Sequence, residues 1–195
     1  MLRDVRIRAA LILLLAAMIG GTTLLVTWIR DSDGIAASIG GPFALTDQLG
    51  KPVTEKDFSG KLMLLYFGYV FCPDACPTAL QNMADAVDQL GVPGEDVVPV
   101  FITVDPARDT VEVLKDYAEA FSPKIRALTG TPEQVAAAAK AYRVYFKKAA
   151  ESAPGEYLMD HSSIVFLIGR DGRYLTHFTH FAPPEQMVAE IKKRL

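Results

Sequence analysis

Cysteine, histidine and tryptophan are scarce in this chain: two, three and one among 195 residues. So small a thiol count restricts sulfur chemistry to a single pair. That pair can form one bridge, one exchange centre, or two ligands to one metal. Positive charge is not in excess either. The first 39 residues hold four of the 20 Lys/Arg and three of the 23 Asp/Glu, which leaves 16 against 20, about −4, on the remainder. No basic stripe appears, which excludes nucleic acid as a partner. There is no internal repeat and no low-complexity tract. Half of the residues are apolar and 22% are charged, the composition of a folded protein.

Residues 9–29 carry no charge over 21 positions. At about 1.5 Å per helical residue such a segment crosses a hydrocarbon core roughly 30 Å thick. Arg3, Arg6 and Arg8 precede it, and Arg30, Asp31 and Asp33 follow it. The positive-inside bias places the N-terminus in the cytoplasm and the rest outside. A cleaved signal peptide is the rival reading, but its apolar core would be shorter. This one continues through Leu24, Val26, Trp28 and Ile29. The expected organisation is a cytoplasmic N-terminus (1–8), a transmembrane anchor (9–29), a linker (30–41) and one domain (42–195). The expected location is the inner membrane, single-pass, with the domain in the periplasm or the equivalent intermembrane space. Thiols there face an oxidising compartment, where a dithiol stays reduced only if something maintains it.

Strand and helix patterns alternate along that domain. Residues 43–53 read as a β-hairpin turning near Leu49 and Gly50. The apolar run 62–70 reads as a buried strand, 78–90 as a helix, and 97–104 as a second buried strand. Asp109 with Glu112 three positions later signals a helix start, and 110–121 follows. Residues 125–128 read as a short strand, and Pro132 opens a helix ending near Lys140. Aromatic alternation makes 142–148 a strand. Residues 164–168 and 174–181 form a hairpin around Arg170-Asp171-Gly172-Arg173. Pro183-Pro184 starts a last helix. This order predicts an α/β sandwich around a mixed sheet flanked by helices. It resembles a thioredoxin-like fold with an N-terminal β-hairpin extension.

Both cysteines fall at the strand-to-helix turn, in Cys72-Pro73-Asp74-Ala75-Cys76-Pro77. Such turns lie where α/β sheets place their chemistry. Three residues separate the thiols, one more than in thioredoxin-type redox motifs. With the helix continued back through the turn, positions i and i+4 share a face. The helix N-terminus favours thiolate, the metal-binding form. His161 stands just before the strand 164–168, whose start lies beside the Cys-bearing turn in a thioredoxin-like sheet. Two thiolates and one imidazole make a soft site with an open position. A structural zinc site takes a fourth protein ligand, and none is evident, which favours copper. A purely structural disulfide is weakly motivated, because so short a loop constrains the unfolded chain little. His177 and His180, three apart on a strand, point to opposite faces. Met63 and Met159 read as core filling. Asp160 points away from its neighbour His161.

Three blocks, Gly68 to Pro77, Val104 to Thr110, and Asp160-His161-Ser162, together resemble the signatures of the SCO/SenC family. Those are membrane-anchored, thioredoxin-fold copper proteins that serve assembly of cytochrome c oxidase. The likeness runs from about Phe43 to the C-terminus, with Val70 where many members have Thr. The resemblance implies one copper ion, Cu(I) or Cu(II), held by Cys72, Cys76 and His161. It also makes Asp105, Arg108 and Asp109 candidates for supporting the ligands or touching a partner. The plainer reading of these three is a helix N-cap at Asp109 and a weak surface ion pair between Asp105 and Arg108.

Two functions follow. The first is a copper chaperone that delivers to the copper A site of cytochrome c oxidase subunit II. Its donor would be another copper chaperone, and a thioredoxin-like reductant would keep its thiols reduced. No substrate is turned over. The second is a thiol–disulfide reductase acting through Cys72 and Cys76 on that subunit or another copper protein. A distant histidine is needed by the first and not by the second. A peroxiredoxin-like peroxidase is disfavoured, since Tyr69 stands where its motif has Thr.

Overall fold

The most apolar stretch beyond the N-terminal segment, Leu62–Gly68, forms a strand with every residue buried. A computed structural model places it near the middle of a seven-stranded sheet. The structure describes residues 39–150 and 157–195, together with Met18 and residues 20–22. Met18 and residues 20–22 are helical and belong to a separate unit, 1–37. The rest of the predicted span 9–29 lies outside the described residues. Among the described residues no helix is long and apolar enough to cross a membrane.

In chain order the strands are β1 (Ala44–Asp47), β2 (Pro52–Thr54), β3 (Leu62–Gly68), β4 (Val97–Thr103), β5 (Arg126–Thr129), β6 (Phe146–Lys148), β7 (Met159–His161), β8 (Ile164–Ile168) and β9 (Tyr174–Thr179). The α-helices are α1 (Ala75–Leu90), α2 (Val111–Phe121), α3 (Pro132–Ala141) and α4 (Pro184–Lys192). The main sheet runs β2-β1-β5-β4-β3-β8-β9. Its centre, β5-β4-β3, is parallel, and β1, β8 and β9 add antiparallel pairings. It is the mixed sheet flanked by helices that the sequence predicts. Parallel central strands are covered on both faces, which is why β3 and β4 are apolar at nearly every position.

The hairpin β1–β2 turns through Gly50 at φ 76°, a left-handed conformation that glycine adopts without steric cost. Asp47, fully buried, secures that turn by accepting from the N–H groups of Leu49 and Lys51. The strand predicted over 142–148 begins only at Phe146. Tyr142 caps α3, and Arg143 follows at φ 55°, so the chain turns before it can pair. β6 then pairs with β7 in a separate two-stranded ribbon, Phe146 opposite His161. The sequence did not suggest β7. Because β8 runs antiparallel to β3, with Val165 opposite Tyr66, the chain just after β7 lies beside the carboxyl end of β3.

Candidate metal centre

Residue 68 closes β3, and the chain then turns through Tyr69, Val70 and Phe71 to Cys72. The N–H of Cys72 donates to the Tyr69 carbonyl at 3.3 Å. Helix α1 begins at Ala75, so Cys72 lies before it in the turn and not on a helical face shared with Cys76. The i, i+4 reading is corrected accordingly: the turn, not the helix, brings the thiols together. Cys76 heads the apolar stripe of α1, followed by Ala79, Leu80, Met83, Ala84, Val87 and Leu90. That stripe packs on the sheet and carries Cys76 inward with it. Cys76 is wholly buried, whereas Cys72 is half-buried. Both are free thiols.

His161 ends β7. Ser162 fixes this corner by donating its N–H to the Tyr145 carbonyl at 2.9 Å and accepting from the Tyr145 N–H at its hydroxyl. The imidazole Nε2 is 3.5 Å from Sγ of Cys76, and Nδ1 faces the Ser162 carbonyl at 3.3 Å. A carbonyl only accepts, so Nδ1 donates to Ser162 and Nε2 is the nitrogen directed at the thiols. The rings of Tyr66 and Tyr69 pack nearly perpendicular to the imidazole, at 82° and 89°. One ligand atom from each of Cys72, Cys76 and His161 lies within 4.8 Å of the other two. Three ligands with bonds of about 2.0–2.3 Å in one plane stand roughly 3.5–4 Å apart. The trio therefore needs only a small contraction to hold one ion.

The two thiols are electrostatically unlike. A hydrogen bond from Cys76 holds the Cys72 thiol well below the usual range. His161 and the N–H groups of Asp74 and Cys76 add to this, against burial. The same pairing, together with burial, pushes Cys76 up. The pairing thus favours thiolate at Cys72 and the protonated form at Cys76.

Asp105, Arg108 and Asp109 lie beyond the carboxyl end of β4, but not as a surface pair and a cap. Asp105 is buried, at 4% exposure, and pairs with Arg108 at 2.5 Å. It also accepts from the Tyr157 hydroxyl at 2.9 Å. The Arg108 guanidinium lies 3.6 Å from the Tyr157 ring centroid and 4.9 Å from that of Phe71. It thus links the Cys-bearing turn to the segment leading into β7. The N-cap of α2 is Thr110, whose hydroxyl accepts from the Val113 N–H. Asp109 turns inward and is fully buried. One of its oxygens accepts from the Thr103 hydroxyl and the Val70 N–H, the other from none. It thereby ties β4 to the turn two residues before Cys72.

His177 meets the Tyr174 hydroxyl at 2.6 Å, and His180 the Ser163 carbonyl at 3.4 Å. Neither joins the Cys₂His group. Met63 is core, Met159 is partly buried on β7, and Asp160 is exposed beside His161. Tyr66 drew no attention in the sequence, because it sits inside an apolar run, and Gly68 entered only as the first residue of a signature block. A Cβ on Gly68 would stand 2.7 Å from Sγ of Cys76. The Tyr66 hydroxyl lies 4.0 Å from the same sulfur. Alternation along β3 places residues 66 and 68 on one face, the face that receives Cys76.

A mixed sheet of this order, with a dithiol at the β3–α1 turn and an imidazole ahead of β8, defines a thioredoxin-like protein with a Cys₂His group able to hold one metal ion. The chain belongs to the SCO1/SenC family, whose profile matches residues 32–195. It is 46% identical over 161 residues to protein SenC of Rhodobacter capsulatus, covering 83% of this chain and 72% of that one. It is 44% identical over 155 residues to the human mitochondrial SCO1 homolog, covering 78% of this chain. The match takes in 52% of the human protein, so the chain spans about half the length of that relative. Among solved structures, copper-bound ScoI of Bradyrhizobium japonicum is similar at TM-score 0.75 and 43% identity, covering 80% of this chain and 99% of that one. Copper-bound yeast Sco1 is similar at TM-score 0.74 and 40% identity, covering 80% and 87%.

Proposed function

We propose that this chain is a copper chaperone that takes one Cu(I) or Cu(II) ion at Cys72, Cys76 and His161. Its acceptor in this reading is the copper A site of cytochrome c oxidase subunit II. The observation that carries the reading is the convergence of two thiols and one imidazole within 4.8 Å. Soft thiolates with an imidazole suit Cu(I). Relatives of 40–43% identity that hold copper in their structures support that choice. Three protein ligands leave a position open, so an acceptor thiolate or imidazole can bind the ion before a donor ligand departs. Half-buried Cys72 is the ligand an acceptor can reach, while Cys76 stays beneath it. An N-terminal anchor at 9–29 would hold the domain at the membrane surface outside the cytoplasm, where the acceptor site lies. Metal analysis and Cu(I) titration of the purified chain test the binding. Reduced protein should bind one equivalent and disulfide-oxidised protein none. Equal binding by both forms would remove the cysteines from the site.

The unequal burial of the thiols favours a second reading, a thiol–disulfide reductase. The Cys72 thiolate would attack a partner disulfide, breaking its S–S bond and forming a mixed disulfide. Cys76 would then lose its proton and attack the Cys72 sulfur. This releases the partner as a dithiol and leaves a Cys72–Cys76 disulfide, with two electrons passing to the partner. The two readings are compatible, because copper binding needs the reduced pair.

A further inference from the structure

A buried phenol must place its hydroxyl. Tyr66 is wholly buried near the end of β3, between Phe101 of β4 and Val165 of β8. Its hydroxyl donates toward Sγ of Cys76 at 4.0 Å. Burial pushes the phenol up, and the nearby Ser163 side chain opposes that shift. Tyr117 provides the contrast: its hydroxyl is buried with no partner. The absence of a Cβ at Gly68 lets Cys76 settle over the backbone on the Tyr66 side of the sheet.

We propose that Tyr66 is a positioning residue for the metal centre: its hydroxyl donates a hydrogen bond to the Cys76 sulfur, orienting that sulfur and drawing electron density from it. Ser163, directly before β8, favours the electron-rich form of the Tyr66 oxygen, and donors arranged in such a chain strengthen one another. Sulfur ligands are tuned in this way. A donor to a ligating sulfur shifts the potential of the centre and the strength of the metal–sulfur bond. Cys72 is partly open to solvent, so water can serve it. Cys76 is sealed from water, so its donors come from the protein: the Tyr69 N–H and the Tyr66 hydroxyl. The sulfur that anchors the ion therefore receives a fixed side-chain hydroxyl, whereas the sulfur that releases it is served by the N–H groups of Asp74 and Cys76 and by water.

This inference deepens the copper reading, but its first measurement needs no copper. The metal-free purified chain is equilibrated in glutathione redox buffers, and the dithiol–disulfide midpoint is read for wild type, Tyr66→Phe and Tyr117→Phe. A thiol or thiolate accepts a hydrogen bond better than a disulfide sulfur does, so the donor stabilises the reduced form. Tyr66→Phe should shift the equilibrium about threefold toward the disulfide, roughly 15 mV more negative. Tyr117→Phe, which removes a hydroxyl that bonds nothing, should leave the midpoint in place. In the Cu(II)-loaded chain, the thiolate-to-copper charge-transfer band should move to longer wavelength in Tyr66→Phe alone, because the sulfur donor orbital rises. Should Tyr66→Phe lack the native circular dichroism, Ser163→Ala replaces it, with a smaller shift of the same sign expected. An unchanged midpoint and band in the folded variant would overturn the proposal and leave Tyr66 as packing only. A shifted midpoint in a chain that binds no copper would uphold the hydrogen bond while removing the chaperone reading.

Discussion

Gly68 and Cys76 are in close approach: a Cβ at position 68 would stand 2.7 Å from Sγ of Cys76, 2.9 Å from the Phe101 ring and 2.9 Å from the Tyr66 ring. No side chain fits there without displacing a sulfur or an aromatic ring. The glycine conformation is not the reason, since Gly68 lies in regular strand and has no positive φ. Space is the reason.

Gly68→Ala is therefore expected to push Cys76 away from His161. Overpacking in a filled core costs typically about 1–3 kcal/mol. Stability should fall by that order, and Cu(I) affinity should fall with it. Chemical denaturation and competition titration against a chromophoric chelator measure the two effects. Loss of stability with wild-type affinity would mean that the neighbours, and not the sulfur, give way.

The thiols should be chemically distinguishable. Cys72 is half-buried and held as thiolate, whereas Cys76 is sealed and keeps the proton. In Cys76→Ser the remaining Cys72 should form a trapped mixed disulfide with an aromatic disulfide reagent within seconds to minutes. In Cys72→Ser the remaining Cys76 should react slower by orders of magnitude, because attack depends on thiolate fraction and access. Similar rates for the two variants, followed by release of the chromophoric thiol, would contradict the assigned asymmetry.

Asp109 should make stability fall as pH rises through the weakly acidic range. Burial pushes its carboxyl up to about 6, against hydrogen bonds from Thr103 and the Val70 N–H that favour the ionised form. In the unfolded chain an aspartate titrates near 3.9. Between these values the folded state holds a proton that the unfolded state has released, so stability declines with pH. The contribution is fully present below about pH 4 and lost above about pH 6, a change on the order of 3 kcal/mol. Asp109→Asn keeps the shape without the titration. Urea midpoints at pH 4.5 and 7.0 should differ less in this variant than in wild type. An equal difference in both would place the pH dependence elsewhere.

Much of this was readable from periodicity and turn chemistry. The strand at Ile164–Ile168 and the hairpin around Gly50 fall where the sequence predicts them, because alternation, apolar runs and glycine turns are local signals. The Cys₂His trio was legible because the fold order places the start of β8 beside the β3–α1 turn. What stayed hidden was non-local. β7 is three residues long and is paired only through β6, so no window around 159–161 announces it. Asp109 and Glu112 have capping spacing, yet Thr110 takes the cap and frees Asp109 to turn inward. Arg108 and Asp105 read as a surface pair because their aromatic cover comes from Phe71 and Tyr157, 37 and 49 positions away from Arg108. Tyr66 and Gly68 are indistinguishable from core until Cys76 is placed over them.

The role of His161 decides between carrier and reductase, and the copper A content of oxidase in cells grown at limiting copper tests it most directly. His161→Ala removes the Nε2 that faces Cys76 at 3.5 Å and leaves both thiols in place. Removing a group that merely supports a ligand costs about 10–100-fold in metal affinity, and removing the ligand itself should cost no less. The variant is predicted to lose copper A assembly while its dithiol still reduces a model disulfide, whereas Cys72→Ser and Cys76→Ser lose both. Full copper A content with His161→Ala would contradict the carrier mechanism and leave the reductase as the better reading.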